Sequence, residues 1–178
     1  MKKILSITLG LFLLSACGSN GPKTPDHDAL IDSISAIEQT VSEQSLLFSA
    51  DTAEMMVNMY TRFVENFPED SLTPIYMMRT ADIEVNRGNI DKGIVLYDSV
   101  INTFLGFEGL AECMLRKAEA LDQDGEHREM AIAAYNAFIA QYPDDPRSQE
   151  ITGRLKYAEM SQDELLATVH KMEKQNKR

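Results

Sequence analysis

From Asp26 onward the apolar positions recur at three and four, not with the period of two that a strand would show. Ile34, Ile37, Val41 and Phe48 mark one stripe, and Ile132, Tyr135, Phe138, Ile139 and Tyr142 mark another, which is the period of helices burying one face. No alternating β-branched run bounded by turns competes with it. The breaks fall at Phe67-Pro68-Glu69-Asp70, Arg87-Gly88-Asn89, Leu105-Gly106-Phe107, Asp124-Gly125-Glu126 and Tyr142-Pro143-Asp144-Asp145-Pro146, where glycine ends helices and proline starts or interrupts them. The pattern predicts helices over 28–48, 51–67, 72–87, 90–104, 109–123, 126–142, 146–160 and 161–175. The expected fold class is all-α.

These breaks are periodic. The triplet Tyr60, Phe63 and Phe67 returns 37 residues later as Tyr97, Val100 and Phe104, and 38 further on as Tyr135, Phe138 and Tyr142. Met77-Met78-Arg79-Thr80-Ala81-Asp82 aligns with Met114-Leu115-Arg116-Lys117-Ala118-Glu119 at the same offset of 37, and the turn glycines Gly88 and Gly125 keep it. A helix–turn–helix unit with a period in the thirties implies an α-solenoid, because one such unit cannot bury its apolar face alone. About three units over 27–160 are expected, with capping helices and a polar tail in 161–178. Leu165, Leu166, Val169 and Met172 form a narrow stripe in that tail.

The repeat resembles the tetratricopeptide family, whose unit carries small residues in both helices, an aromatic in the second and a terminal proline. Ala118, Ala131, Tyr135 and Pro143 fill those places in one unit, Ala81, Gly93 and Tyr97 in another, and Tyr60, Phe63 and Pro68 in the first. Tyr97 is expected to be buried between units, beside Gly93 and Ala81. The resemblance implies a groove built by the leading helices that takes a protein or peptide. Counted from Ala81 its lining falls on Met78, Asp82, Val85 and Asn86; counted from Ala118, on Leu115, Glu119, Asp122 and Gln123. Carboxylates around an apolar floor favour a segment with Lys or Arg and apolar anchors. Replacing Asp82 and Glu119 by lysine is expected to slow association and leave the melt unchanged.

The N-terminus changes the picture of where such a domain works. Lys2-Lys3, an apolar run over 4–14 and then Leu14-Ser15-Ala16-Cys17 have the layout of a secretory signal, and the run is shorter than the about 20 residues a spanning helix needs. With its cysteine it resembles the lipobox of bacterial lipoproteins. That resemblance implies cleavage after residue 16, acylation of Cys17 and attachment to the membrane through the acyl chains. Residues 18–25, rich in Gly, Ser and Pro, read as a tether, so 17–26 joins lipid to domain. Gly18 and Ser19 in place of aspartate imply the outer membrane, at its periplasmic face. Lipobox, tether and Tyr-x-x-Phe-x-x-x-(Phe/Tyr)-Pro repeats are together similar to BamD-type outer-membrane assembly lipoproteins and Tol-Pal coordinator proteins, which are adaptors.

Charge agrees with a protein partner. Loss of residues 1–16, with two lysines, takes the net charge from −11 to −13, which argues against nucleic acid and against electrostatic docking on anionic lipid. Lipidation of Cys17 leaves Cys113 alone, so no internal disulfide is expected. His27, His127 and His170 lack a second ligand at helical spacing and read as exposed turn or terminal residues. Cys113 reads as a small buried hydrophobe. Glu69-Asp70 and Asp144-Asp145 read as helix caps. Of the ten methionines, Met55, Met56, Met59, Met77, Met78, Met114 and Met130 lie in the repeats as core filler or adaptable lining. No phosphate loop, nucleophile elbow or metal motif is present, so no catalytic residue, cofactor or metal is expected. The expected function is a non-catalytic, lipid-anchored adaptor in envelope assembly or maintenance. The alternatives are an enzyme-associated subunit of envelope metabolism and a self-associating structural lipoprotein.

Overall fold

A computed structural model describes residues 25–43, 49–123, 125–158, 166–167, 169–171 and 174. Seven helices are defined among them: α1 His27–Glu43, α2 Ala50–Asn66, α3 Thr73–Asn86, α4 Ile90–Thr103, α5 Leu110–Asp122, α6 Arg128–Gln141 and α7 Pro146–Ala158. Each packs on its neighbours in sequence, and the leading helices α3 and α5 also touch. This is the all-α solenoid that the repeats imply. The signal, Cys17 and the tether as far as residue 24 lie outside the described residues. So do residues 44–48 and much of 161–175, of which residues 166–167, 169–171 and 174 are helical and exposed.

At five helix ends the expected last residue is the C-cap, one step beyond the helix. These are Phe67, Arg87, Phe104, Gln123 and Tyr142. The three aromatic caps share one conformation, with φ between −110° and −132° and ψ near 60°. Their triplet partners one turn earlier, Phe63, Val100 and Phe138, are completely buried at 0% exposure. The chain therefore leaves each trailing helix just after its deepest residue.

The turns that follow are built from the acids read as caps. Asp70 Oδ1 accepts from Leu72 N at 2.8 Å and Asp145 Oδ1 from Arg147 N at 2.9 Å. Thr73 and Ser148 hydroxyls donate 2.6 Å bonds back to Phe67 O and Tyr142 O, so both turns hold the next helix by the same pair of contacts. The middle turn replaces Asp with Phe107, whose ring lies over Gly109 where a Cβ would come within 2.4 Å. Gly88 and Gly125 take positive φ, 83° and 73°, ending α3 and the α5–α6 connection in the left-handed region that other residues resist. Gly93 lets α4 close onto α3: a Cβ there would stand 2.3 Å from Val85 Cγ2 and 3.1 Å from Ala81 O.

Three apolar clusters result, one per joint. Tyr60, Phe63, Met56, Tyr76 and Ile34 form the first. Tyr97, Val100, Ala81, Val85 and Cys113 form the middle one. Tyr135, Phe138, Ala118, Leu121 and Ile151 form the third. Tyr97 is 2% exposed, in the position expected for it. The methionines divide: Met56 and Met114 are buried, while Met55 and Met130 are exposed.

Candidate peptide-binding face

The helix pairs place one tyrosine, one arginine and one cavity at each joint. The tyrosine comes from the trailing helix of a unit and the arginine from the leading helix of the next. Tyr60 and Arg79 line a cavity of 470 Å³ with Met56, Asp82, Ile83 and Asn86. Tyr97 and Arg116 line the next, of 270 Å³, with Asp82, Val85, Asn86, Glu119 and Gln123 among others. Tyr135 and Arg154 line the third, of 100 Å³, between α5, α6 and α7. Asp82 and Asn86 border the first two cavities, so those run into one another.

At the first joint the Tyr60 hydroxyl donates to Glu38 Oε1 at 2.6 Å, and Arg79 Nη1 donates to the same oxygen. At the second, Tyr97 donates to Asp82 Oδ1 at 2.5 Å while Arg116 Nη1 donates to Asp82 Oδ2. Both of these joints are thus closed by an acid, a phenol and a guanidinium from three successive helices. Burial first, and then the neighbouring carboxylate, push both phenols well above their usual value. Burial also raises the Asp82 carboxyl, against the opposing pull of its two donors. The second joint continues outward: Arg116 Nε bonds Glu112 at 2.8 Å, and Arg147 bonds Glu112 at 2.6 Å and Asp145 at 2.8 Å. Those guanidinium bonds hold the Glu112 carboxyl low, and Arg147 takes Asp145 down to about 2.

Five of the eight expected groove residues, Asp82, Val85, Asn86, Glu119 and Gln123, line the middle cavity. Asp122 lines the third. Leu115 is buried in the third apolar cluster and Met78 packs against the middle one, so neither borders these cavities. Their stripe faces the adjoining helices because the solenoid uses that side of each leading helix for its core. Two of the three acids are already engaged. Asp82 is held by Tyr97 and Arg116, and Asp122 meets Arg154 at 3.5 Å. Replacing Asp82 by lysine would put an ammonium among two of its own donors, so the melt cannot stay unchanged.

Other candidates are placed as follows. His27, expected to be a merely exposed terminal residue, begins α1 with both nitrogens engaged, Nδ1 with Asp28 at 2.8 Å and Nε2 with Asp70 at 2.9 Å. Its ring meets Phe67 edge-on at 4.8 Å. His127 is an N-cap residue 3.6 Å from Asp91, and His170 is exposed. Cys113 is fully buried, its thiol bonding Tyr97 O at 3.8 Å, and burial pushes it up to about 12, where it is inert as a nucleophile at neutral pH. Among the described residues no group of three or more His, Cys, Asp or Glu could hold a metal ion, and no helix is long and apolar enough to cross a membrane.

The arginines were missed as site residues. Their signal was present: Arg79, Arg116 and Arg154 keep the 37- and 38-residue spacing of the tyrosines they serve.

The tetratricopeptide repeat family matches residues 112–145, which span most of α5, all of α6 and the turn into α7. No curated protein matches the chain. The chain therefore contains a tetratricopeptide repeat, a unit that generally serves protein–protein interaction and is typically non-catalytic. That matched unit supplies Glu119, Asp122, Gln123 and Tyr135.

Proposed function

We propose that this protein is a non-catalytic adaptor, tethered by acylated Cys17 to the periplasmic face of the outer membrane, whose groove binds an extended segment of an envelope protein. The observation carrying the binding half is the run of cavities along one side of the repeat stack, with exposed Asn86 and Gln123 on their rims. An open row of polar rims over apolar walls suits an extended peptide better than a compact substrate. Glu119, exposed beside the middle cavity, would meet a basic residue, while Met56 and Val85 would take apolar anchors. The anchor half rests on the lipobox, and its mechanism is positioning: a lipid and a tether raise the concentration of groove near the membrane. The similarity to BamD-type and Tol-Pal coordinator lipoproteins supports the envelope setting.

Both halves have direct tests. A photo-crosslinker at Asn86 or Gln123 should capture the same protein from intact cells, and one at exposed Val95 on α4 should not. Capture of nothing from either groove position, or the same yield from Val95, ends the groove reading. Cys17→Ser should abolish lipid labelling and release the protein from the membrane fraction; retention with no acyl group by mass spectrometry ends the lipoprotein reading.

A further inference from the structure

The third joint repeats the design of the first two and leaves it unfinished. Tyr135 is 4% exposed, and its hydroxyl is buried with no hydrogen-bond partner among the described residues. Arg154 is in place, its guanidinium 5.7 Å from the Tyr135 ring centroid. The acid is what fails to arrive. Glu119, the counterpart of Asp82, is exposed. Among the described residues Asp122 meets Arg154, at 3.5 Å, through side chains 46% and 54% exposed.

We propose that Tyr135 and Arg154 form a binding site for a carboxylate side chain, Asp or Glu, of the segment lying in the groove. The second joint supplies the template: one carboxylate oxygen takes the phenol and the other the guanidinium, as Asp82 does with Tyr97 and Arg116. The third joint keeps the two donors beside its cavity of 100 Å³, the smallest of the three yet far above the about 10–15 Å³ that one water requires. A carboxyl group with its methylene fits there. A buried phenol without an acceptor favours a ligand that brings one, and a charged acceptor shared with arginine makes the strongest bond of this kind. Ile132, Ile151 and Leu155 line the same cavity and shield the contact from solvent. The half-exposed Asp122–Arg154 pair can exchange, because such pairs gain little over hydration. The site rests on the adaptor reading only for the source of its carboxylate.

The test therefore needs no partner. In the full-length chain with tyrosine Cζ labelled, sodium acetate or the blocked residue N-acetyl-aspartate methylamide is titrated against sodium chloride at matched ionic strength. Tyr135 should shift and saturate in the millimolar range with both carboxylates and not with chloride. Tyr60 and Tyr97, already bonded to their own acids, should stay still. Arg154→Gln, with an unchanged melt, should weaken binding about tenfold, the worth of one charge-assisted bond. A silent Tyr135, or an equal response to chloride, overturns the site. Response to acetate but not to blocked aspartate overturns the side-chain source and leaves a site for free small carboxylates. Loss of groove crosslinking with acetate binding intact would instead count against the adaptor reading alone.

Discussion

The joints closed by Tyr97 and by Tyr135 share spacing, helix order and arginine, yet one is a finished contact and the other an open one. At Tyr97 the phenol, Asp82 and Arg116 neutralise and satisfy each other inside the stack. At Tyr135 the ring packs equally deep but the hydroxyl has no acceptor among the described residues. Repetition of apolar positions therefore fixes where the rings go, while completion of the polar contact depends on one acid reaching inward. That separates two duties in a repeat protein. Rings hold units together, and the polar triads decide which joint is spent on stability and which is left for a ligand.

Removing a ring at the finished joint should produce the largest effect. Tyr97→Ala is expected to cost about 3–5 kcal/mol, as for other buried aromatics, and to melt the neighbouring units together because they share the interface. A thermal melt followed by circular dichroism, shifted by less than a few degrees, would show that the joint does not couple its neighbours.

Next comes the close approach behind that ring. Gly93→Ala sets a methyl against Val85 Cγ2 and Ala81 O, and should cost about 1–3 kcal/mol as overpacking. Gly153 in α7 has nothing within 4 Å of a built Cβ, so Gly153→Ala should stabilise by up to about 1 kcal/mol through helix propensity. Denaturant titration of both variants checks the contrast. Equal responses would mean that α4 does not press on Val85 and Ala81 at Gly93.

The polar half of the comparison is isolated by removing hydroxyls alone. Tyr60→Phe and Tyr97→Phe should each cost about 1–2 kcal/mol, since each deletes a bond to a partly buried carboxylate. Tyr135→Phe should be neutral or slightly stabilising, because it deletes a buried donor with no partner. A matching loss at Tyr135 in denaturant titration would reveal that Glu119 or Asp122 closes the third joint in solution, and the carboxylate site would be lost with it.

Much of this architecture was legible because it is written in residues whose roles are local. The tyrosine triplets, the turn glycines at 88 and 125, the turn acid Asp70 and the acid Asp145 before α7 each answer to a backbone need that spacing reveals. The triads were harder to read for a physical reason. A surface arginine and a joint arginine carry the same side chain, and only the packing of three successive helices decides which one turns inward. Glu38 shows the difficulty best. It stands 44 residues before Asp82 instead of 37, yet does the same work from α1, because a seven-residue step is almost two helical turns and preserves the face. Leu115 and Met78 show the opposite difficulty: counting from the small residues points them to the groove, while Leu115 is buried in the third cluster and Met78, half-buried, packs against the middle one.

The smallest effect lies at the N-terminal end of the stack, where His27 joins α1 to the α2–α3 turn through Asp70. The hydrogen bonds to Asp28 and Asp70 raise His27 above its usual 6.5, and the Leu72 amide followed by His27 lowers Asp70 below its usual 3.8. For the histidine the stabilising contribution is complete below pH 6.5 and is lost as pH rises through its folded value. For the aspartate it is complete above pH 3.8 and is lost as pH falls through its folded value. The contact is therefore strongest between these limits, and α1 should loosen slightly from pH 6 toward 8. The groups are only half-buried, so the effect on the whole chain should be a degree or two of melting temperature at most. Histidine Cε1 resonances followed through a pH titration give the sharper reading. His27 should titrate above 6.5, and Asp70→Asn should bring it back toward that value without moving His170. If His27 titrates at or below 6.5 in both proteins, the α1 contact is geometric only, and the first unit holds its leading helix by Leu30 and Ile34 alone.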